Sequence, residues 1–176
     1  MHLNIEFKAR SSRNKELQQL LADHNPRFAG EDHQKDTYFN VPHGRMKLRE
    51  GNIEHALIHY QRSNIAGAKQ SDVILYQHQP DAALKALLTA ALGIKVVVEK
   101  RRRIYFVDNV KIHFDEVAGL GQFLEVEAID ADGSIGAEKL QEQCRYFATL
   151  FGVADSDYLA QSYSDMLLQQ PPGAEK

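Results

Sequence analysis

Apolar and polar residues alternate with period two along much of this chain, the spacing that puts one class on each face of a strand. Leu3 to Ala9, Thr37 to Val41, Arg45 to Glu50, Glu54 to Gln61, Asp72 to Gln79, Lys95 to Val107, Val110 to Val117 and Gln122 to Ile129 read as strands. Pro42-His43-Gly44, Gly51-Asn52, Asp108-Asn109 and Gly119-Leu120-Gly121 supply turns. Helical spacing interrupts the alternation. Ser11 or Ser12 is placed to cap a helix reaching Asp23, with Leu17, Leu20 and Leu21 on one face. Pro80 opens a second helix, with Asp81 in its first turn and Gly93 at its end. Ser134 to Phe151 is the longest, burying Leu140, Cys144, Phe147 and Leu150 or Phe151, and a short helix covers Leu159 to Leu168. Neighbouring strands joined by tight turns pair antiparallel, so the pattern predicts an α+β domain whose antiparallel sheet can close on itself.

Composition narrows the class. The 176 residues are 43% hydrophobic and 26% charged, which fits one globular domain over residues 1–168. Gln169 to Lys176, Q-Q-P-P-G-A-E-K, reads as a disordered tail. A net charge of −3 argues against a nucleic-acid or membrane-surface partner for the whole molecule. Glu6, Lys8 and Arg10 break up the N-terminal stretch, so no secretory leader is expected, and no apolar run is long enough to span a bilayer. With Cys144 as the one cysteine, no internal disulfide forms, and the expected compartment is the cytoplasm.

The charges carry the chemistry, because they fall on strand faces by parity. Asn4, Glu6 and Lys8 share one face of the first strand; Arg45, Lys47 and Arg49 share one face of another. Lys100 and Arg102 share a face, as do Glu125 and Glu127. The plain alternative is that each is a solvated face. A barrel that turns these faces inward, and packs helices on its apolar outside, would instead gather them around one cavity. Guanidinium and ammonium groups suit phosphate oxygens, and clustered carboxylates suit Mg²⁺ or Mn²⁺. Parity therefore predicts a metal–polyphosphate ligand. Asp115, on the face of Lys111 and His113, is expected in or beside that site, with pairing to a neighbouring cation as the alternative.

At these residues the chain resembles the CYTH family, which holds class IV adenylyl cyclases and thiamine triphosphatases and is also called the triphosphate tunnel metalloenzymes. The resemblance rests on N-I-E-F-K at Asn4 to Lys8, D-T-Y-F at Asp36 to Phe39, G-R-M-K-L-R at Gly44 to Arg49 and L-I-H-Y-Q-R at Leu57 to Arg62. It continues with V-E-K-R-R at Val98 to Arg102, F-D-E-V-A-G-L-G-Q-F-L-E-V-E at Phe114 to Glu127, and S-Y-S-D-M-L at Ser162 to Leu167. The resemblance implies an eight-stranded antiparallel closed β-barrel, a triphosphate tunnel, with helices packed outside. It implies Glu6, Glu125 and Glu127 as ligands of Mg²⁺ or Mn²⁺, and Lys8, Arg45, Lys47, Arg49, Arg62, Lys100 and Arg102 as phosphate-binding residues. Glu6, Lys8, Lys100 and Asp115 are the catalytic candidates. Asn4 stands where the family has its first carboxylate; an amide oxygen still coordinates a metal but brings no charge.

The implied partner is a small-molecule triphosphate, bound by a monomer or homodimer. The cyclase-like branch is nearest, giving ATP to cyclic AMP and pyrophosphate as the first expectation. Hydrolysis of thiamine triphosphate, tripolyphosphate or a nucleoside triphosphate uses the same electrostatics. Asn4 keeps a third reading open, a non-catalytic binder of nucleotide or polyphosphate. Other signals carry less. His55 and His59 sit four apart on a strand rather than a helix, and Arg101-Arg102-Arg103 cannot all face one way. Tyr38, Phe39, Tyr105 and Phe106 read as core and wall residues, any one of which could pack on a base.

Overall fold

The computed structural model describes residues 2–62 and 66–170. Their elements run β1 (His2–Arg10), α1 (Asn14–Ala22), β2 (Arg27–Phe39), β3 (Arg45–Glu50), β4 (His55–Arg62), β5 (Lys69–Gln77), α2 (Ala82–Leu92), β6 (Ile94–Val107), β7 (Val110–Val117), β8 (Gly121–Asp130), α3 (Ala137–Leu150), a 3₁₀ turn at Asp155–Asp157 and α4 (Tyr163–Leu168). The strands close a barrel in the order β1-β5-β4-β3-β2-β6-β7-β8, and every pair is antiparallel. Closure leaves no exposed strand edge. No helix of the described residues is long and apolar enough to cross a membrane.

The principal hydrophobic core lies outside the barrel. Ile5 and Phe7 of β1, Ile112 and Phe114 of β7, and Leu124 and Val126 of β8 point outward, opposite to the charged positions. Leu17 and Leu21 of α1 and Leu140, Cys144, Phe147 and Phe151 of the α3 segment cover them. α2 covers a second outer patch made by Phe39 and Leu48. Each fully buried Leu or Phe contributes about 1.5–3 kcal/mol, and here that stabilisation is supplied without filling the barrel. α4 closes one end, where Tyr163 and Met166 pack with Tyr38, Tyr60 and Phe123.

Element boundaries moved for local reasons. β2 starts at Arg27 rather than Thr37. Its middle, from Glu31 to Asp36, is polar on both faces, with Glu31, His33 and Lys35 outward and the buried Asp32, Gln34 and Asp36 inward, so alternation of hydrophobicity is absent there. α1 starts at Asn14 with Arg13 as its cap residue, because Ser11 Oγ accepts from Arg13 N (3.2 Å) before the helix begins. Asp81 caps α2 instead of joining its first turn, accepting from Ala83 N at 2.8 Å, and Gly93 ends it with φ of 70°. Ser134 lies ahead of α3, in a loop whose amides Gly133 N, Ile135 N and Gly136 N donate to Asp130. α4 begins only at Tyr163, through a reciprocal cap between Ser162 and Asp165. Gln169 and Gln170, read as tail, finish that helix, and Gln170 Nε2 donates to Gly119 O at 2.8 Å; residues 171–176 of the expected tail lie outside the described residues.

The β3–β4 turn is organised from within by Asp32. Its carboxylate is fully buried and accepts from Asn52 N (2.7 Å), Ile53 N (2.9 Å) and Glu54 N (3.1 Å). A Cβ at Gly51 would stand 2.5 Å from Asp32 Oδ1. The expected result for Gly51→Ala is a loss of about 1–3 kcal/mol, from overpacking against a carboxylate fixed by three amides, read from the midpoint of urea unfolding.

Candidate functional site

The barrel encloses a cavity of about 650 Å³, within the usual range for a small-molecule site. Antiparallel register puts residues of paired strands on the same face, and it divides the wall in two. β4 and β5 present an apolar arc, in which Ile58 pairs with Leu75 and Tyr60 with Val73. The other strands present an ionic arc. Lys8, Lys47, Arg49, Lys100, Arg102 and Lys111 line it together with Glu6, Asp36, Glu54, Glu125 and Glu127.

Asp36 is the hub of the cations. It accepts from Arg49 Nε (2.8 Å) and Nη2 (2.9 Å), Lys47 Nζ (2.9 Å) and Lys100 Nζ (2.8 Å). Burial opposes its ionisation, but Arg49, Lys100 and Lys47 outweigh burial and hold it well below the usual carboxylate range. One carboxylate cannot neutralise three cations. Arg49 takes it with two donors, and Lys100 shares what remains. Burial first, then repulsion from Arg49, Arg102 and Lys47, together outweigh the attraction of Asp36 and lower Lys100 to about 7. Glu54 joins the cluster to Lys111 and accepts from Arg49 Nη1 at 2.8 Å.

A second network fixes Arg102. Asp115 receives Arg102 Nε at 2.7 Å and Nη2 at 2.6 Å, and Tyr163 Oη at 2.7 Å, while Arg102 also bonds Glu125. Lys8 Nζ sits 2.6 Å from Glu125 and 4.1 Å above the Tyr163 ring. α4 thereby both closes the tunnel and braces its cations.

The carboxylates gather beside these cations. Glu6 is opposite Glu127 across the β1–β8 pair, and Lys8 is opposite Glu125. Burial, then the charges of Glu125 and Glu6, raise Glu127 to about 7. The buried Oδ1 of Asn4, two residues from Glu6 on the same strand face, finds no hydrogen-bond partner among the described residues. A carboxylate whose ionisation is opposed by burial and by its neighbours, on the same wall as an orphaned amide oxygen, is an environment a hard divalent cation would satisfy. Asn4, Glu6, Glu125 and Glu127 therefore fit such an ion.

Of the residues expected from sequence, Asn4, Glu6, Lys8, Lys47, Arg49, Lys100, Arg102, Glu125 and Glu127 all line the one cavity. Arg45 does not: it lies at the α4 end, where Nη2 meets Asp165 at 2.8 Å. Asp115 is entirely buried behind Arg102 and does not line the cavity, so it is a positioning residue for that guanidinium. Arg62 ends β4, with its side chain outside the described residues. The sequence reading missed Asp36, Glu54 and Lys111 as wall residues. Extending β2 in register would have placed Asp36 on the Arg49 face. Glu54, read as the first residue of a strand, sits in the turn before β4, and the residues sharing its parity there are Ala56, Ile58 and Tyr60, so no charge stripe marked it.

Comparison with known proteins agrees with this geometry. The CYTH domain model matches residues 2–163. The chain belongs to the CYTH family. This CYTH domain is 28% identical over 172 residues to the adenylate cyclase CyaB of Aeromonas hydrophila, covering 94% of this chain and 88% of that one. The PH1012 protein of Pyrococcus horikoshii OT3 shares the fold with a TM-score of 0.76 at 22% identity, over 94% of this chain and 98% of that one. HpAC1 of Hippeastrum, whose structure is described with a dominant triphosphatase activity, shares it at a TM-score of 0.61 and 16% identity, over 96% and 94%.

Asp36→Ala is expected to cost this CYTH domain about 3–5 kcal/mol, because it strands buried cations without their counter-charge. Chemical denaturation reads the loss, and added tripolyphosphate is expected to recover part of it. The lowered Lys100 adds a pH dependence. Its proton favours anion binding and is lost as pH rises through about 7, so metal-free tripolyphosphate affinity is expected to fall about tenfold between pH 6 and 8. Lys100→Arg keeps its charge, and calorimetric titration is expected to show a flatter profile than the parent.

Proposed function

We propose that this CYTH domain is a divalent-metal-dependent enzyme acting on an organic triphosphate, and that its reaction is of the class IV adenylyl cyclase type, ATP to cyclic AMP and pyrophosphate. The divided wall of the tunnel supports this reading best. An inorganic polyphosphate would use only the ionic arc. A nucleotide would lay its phosphates on Lys8, Lys47, Arg49, Lys100 and Arg102, and its apolar body against Ile58, Tyr60, Val73 and Leu75. The name of the Aeromonas hydrophila relative points the same way.

The cation wall is preorganised. Asp36 orients Arg49, Lys47 and Lys100 before any ligand arrives, and Asp115 does so for Arg102. Such fixed donors hold the triphosphate in line for displacement and offset charge on the departing pyrophosphate. Asn4, Glu6, Glu125 and Glu127 would hold Mg²⁺ or Mn²⁺, which when bound supplies Lewis-acid charge against the phosphate oxygens. Hydrolysis is the second reading. It needs the same wall with water in place of the ribose hydroxyl, and the activity described for HpAC1 favours it.

Incubation with ATP, tripolyphosphate and thiamine triphosphate in Mg²⁺ or Mn²⁺, with chromatography of all products, separates the readings. Cyclic AMP with pyrophosphate is expected; orthophosphate would make the protein a triphosphatase. Saturable binding with no product would leave a binder. Ile58→Asn is expected to weaken ATP binding about tenfold, through loss of apolar contact, while tripolyphosphate affinity stays within twofold, as calorimetry would show.

A further inference from the structure

His113 belongs to none of the roles above, yet it is completely buried beside Glu125 and Glu127, just behind the cavity wall that they line. It lies on β7 directly opposite Glu125 in the pairing with β8, one inward position from Lys111. Its Nδ1 is 3.4 Å from Glu125 Oε2 and 3.7 Å from Glu127 Oε1. Neither ring nitrogen makes a well-formed hydrogen bond among the described residues. Among them, Nδ1 has only the Glu125 carboxylate within reach, at the long end of a hydrogen bond, and a buried imidazole so poorly satisfied is costly unless something improves on that contact.

The spacing suggests what does. Donors that share one cation at about 2.1 Å stand about 3.0 Å apart at octahedral angles and about 3.4 Å at tetrahedral ones. The imidazole nitrogen and the two carboxylate oxygens all lie within 4.8 Å of one another, so a small contraction brings them to those separations. Asn4 Oδ1, also without a partner among the described residues, lies on β1, which pairs with β8 on its other side, two residues from Glu6, the register partner of Glu127. Magnesium prefers an all-oxygen shell, whereas a neutral imidazole suits first-row transition ions.

We propose that His113 is a metal ligand in this tunnel, and that through it the protein selects Mn²⁺ or Co²⁺ over Mg²⁺. The inference rests on the reading that the tunnel loads a divalent ion. Glu125 and Glu127 supply charge, Asn4 a neutral oxygen, and His113 the donor that discriminates among ions. This would differ from a site of carboxylates alone mainly in selectivity.

Pulsed electron paramagnetic resonance of the full chain loaded with Mn²⁺ tests this without turnover. The expected spectrum shows nitrogen-14 coupling from a directly bound imidazole, absent from His113→Leu. Calorimetry is expected to give Mn²⁺ at least about tenfold tighter binding than Mg²⁺ in the parent, with that ratio shrinking in the variant. Mn²⁺ bound through oxygens alone would overturn the role of His113 and leave the metal-dependent reading intact. No saturable binding of either ion would overturn both. If His113→Leu does not fold, the parent's nitrogen coupling and its Mn²⁺/Mg²⁺ ratio decide the matter alone.

Discussion

Everything in this structure follows from the need to neutralise a buried ring of charge. An isolated ion moved from water into a protein interior costs several kcal/mol even after relaxation. The tunnel holds six cations facing five carboxylates, and it is tolerable only because they are interleaved. Asp36 among Lys47, Arg49 and Lys100, and Asp115 behind Arg102, are the joints of that pattern. The balance is nearly even but locally imperfect. Burial, with Arg49, Arg102 and Lys47 nearby, leaves Lys100 easily deprotonated, and burial with Glu125 and Glu6 nearby leaves Glu127 reluctant to ionise. Excess positive charge around Asp36 and excess negative charge around Glu127 complement the two halves of the metal–polyphosphate ligand proposed above.

Giving the interior to ions forces the apolar core elsewhere. α1, α2 and α3 are needed because the outer faces of β1, β7, β8, β2 and β3 would otherwise be exposed. This arrangement separates stability from chemistry. Phe7, Ile112, Val126 and Phe147 can be close-packed without touching the cavity, while the inner face of the same strands carries Lys8, Lys111, His113 and Glu127. Period-two geometry lets adjacent residues serve the two purposes.

The same geometry explains what could be read from the sequence. Where one face was apolar and the other charged, strand and inward face were both legible: Asn4 to Lys8, Lys47 to Arg49 and Glu125 to Glu127 came out on the inner wall. So did Lys100 and Arg102, whose strand was marked by the flanking Val96, Val98 and Ile104. Where both faces were polar the signal vanished, and with it Asp32, Gln34 and Asp36 of β2. Asp36 was marked only as the start of the D-T-Y-F resemblance, and its place on the inner wall is visible from its strand partner Arg49. Parity was also blind to depth along the barrel. Arg45 and Asp115 have the right face but lie toward the end that α4 closes, so they brace rather than line the tunnel. The apolar arc of Ile58 and Leu75 on β4 and β5 was not legible, because Ala56-Leu57-Ile58 and Val73-Ile74-Leu75-Tyr76 are apolar on both faces and which face pointed inward depended on closure through β1.

Asn4 is best understood within this charge balance. A carboxylate in its place would add a negative charge beside Glu6 and Glu127, two groups whose mutual repulsion already contributes to the raised Glu127. Part of the gain in metal attraction would then be lost to protonation, since a carboxylate must shed its proton before it can bind a cation. The amide keeps an oxygen donor at the same point of the wall while avoiding that conflict. It lowers the electrostatic pull on a divalent ion, and a neutral nitrogen donor such as His113 is one way to restore affinity without adding charge. Asn4 is thus compatible with a working metal site, provided that the ion is one for which ligand type matters as well as charge.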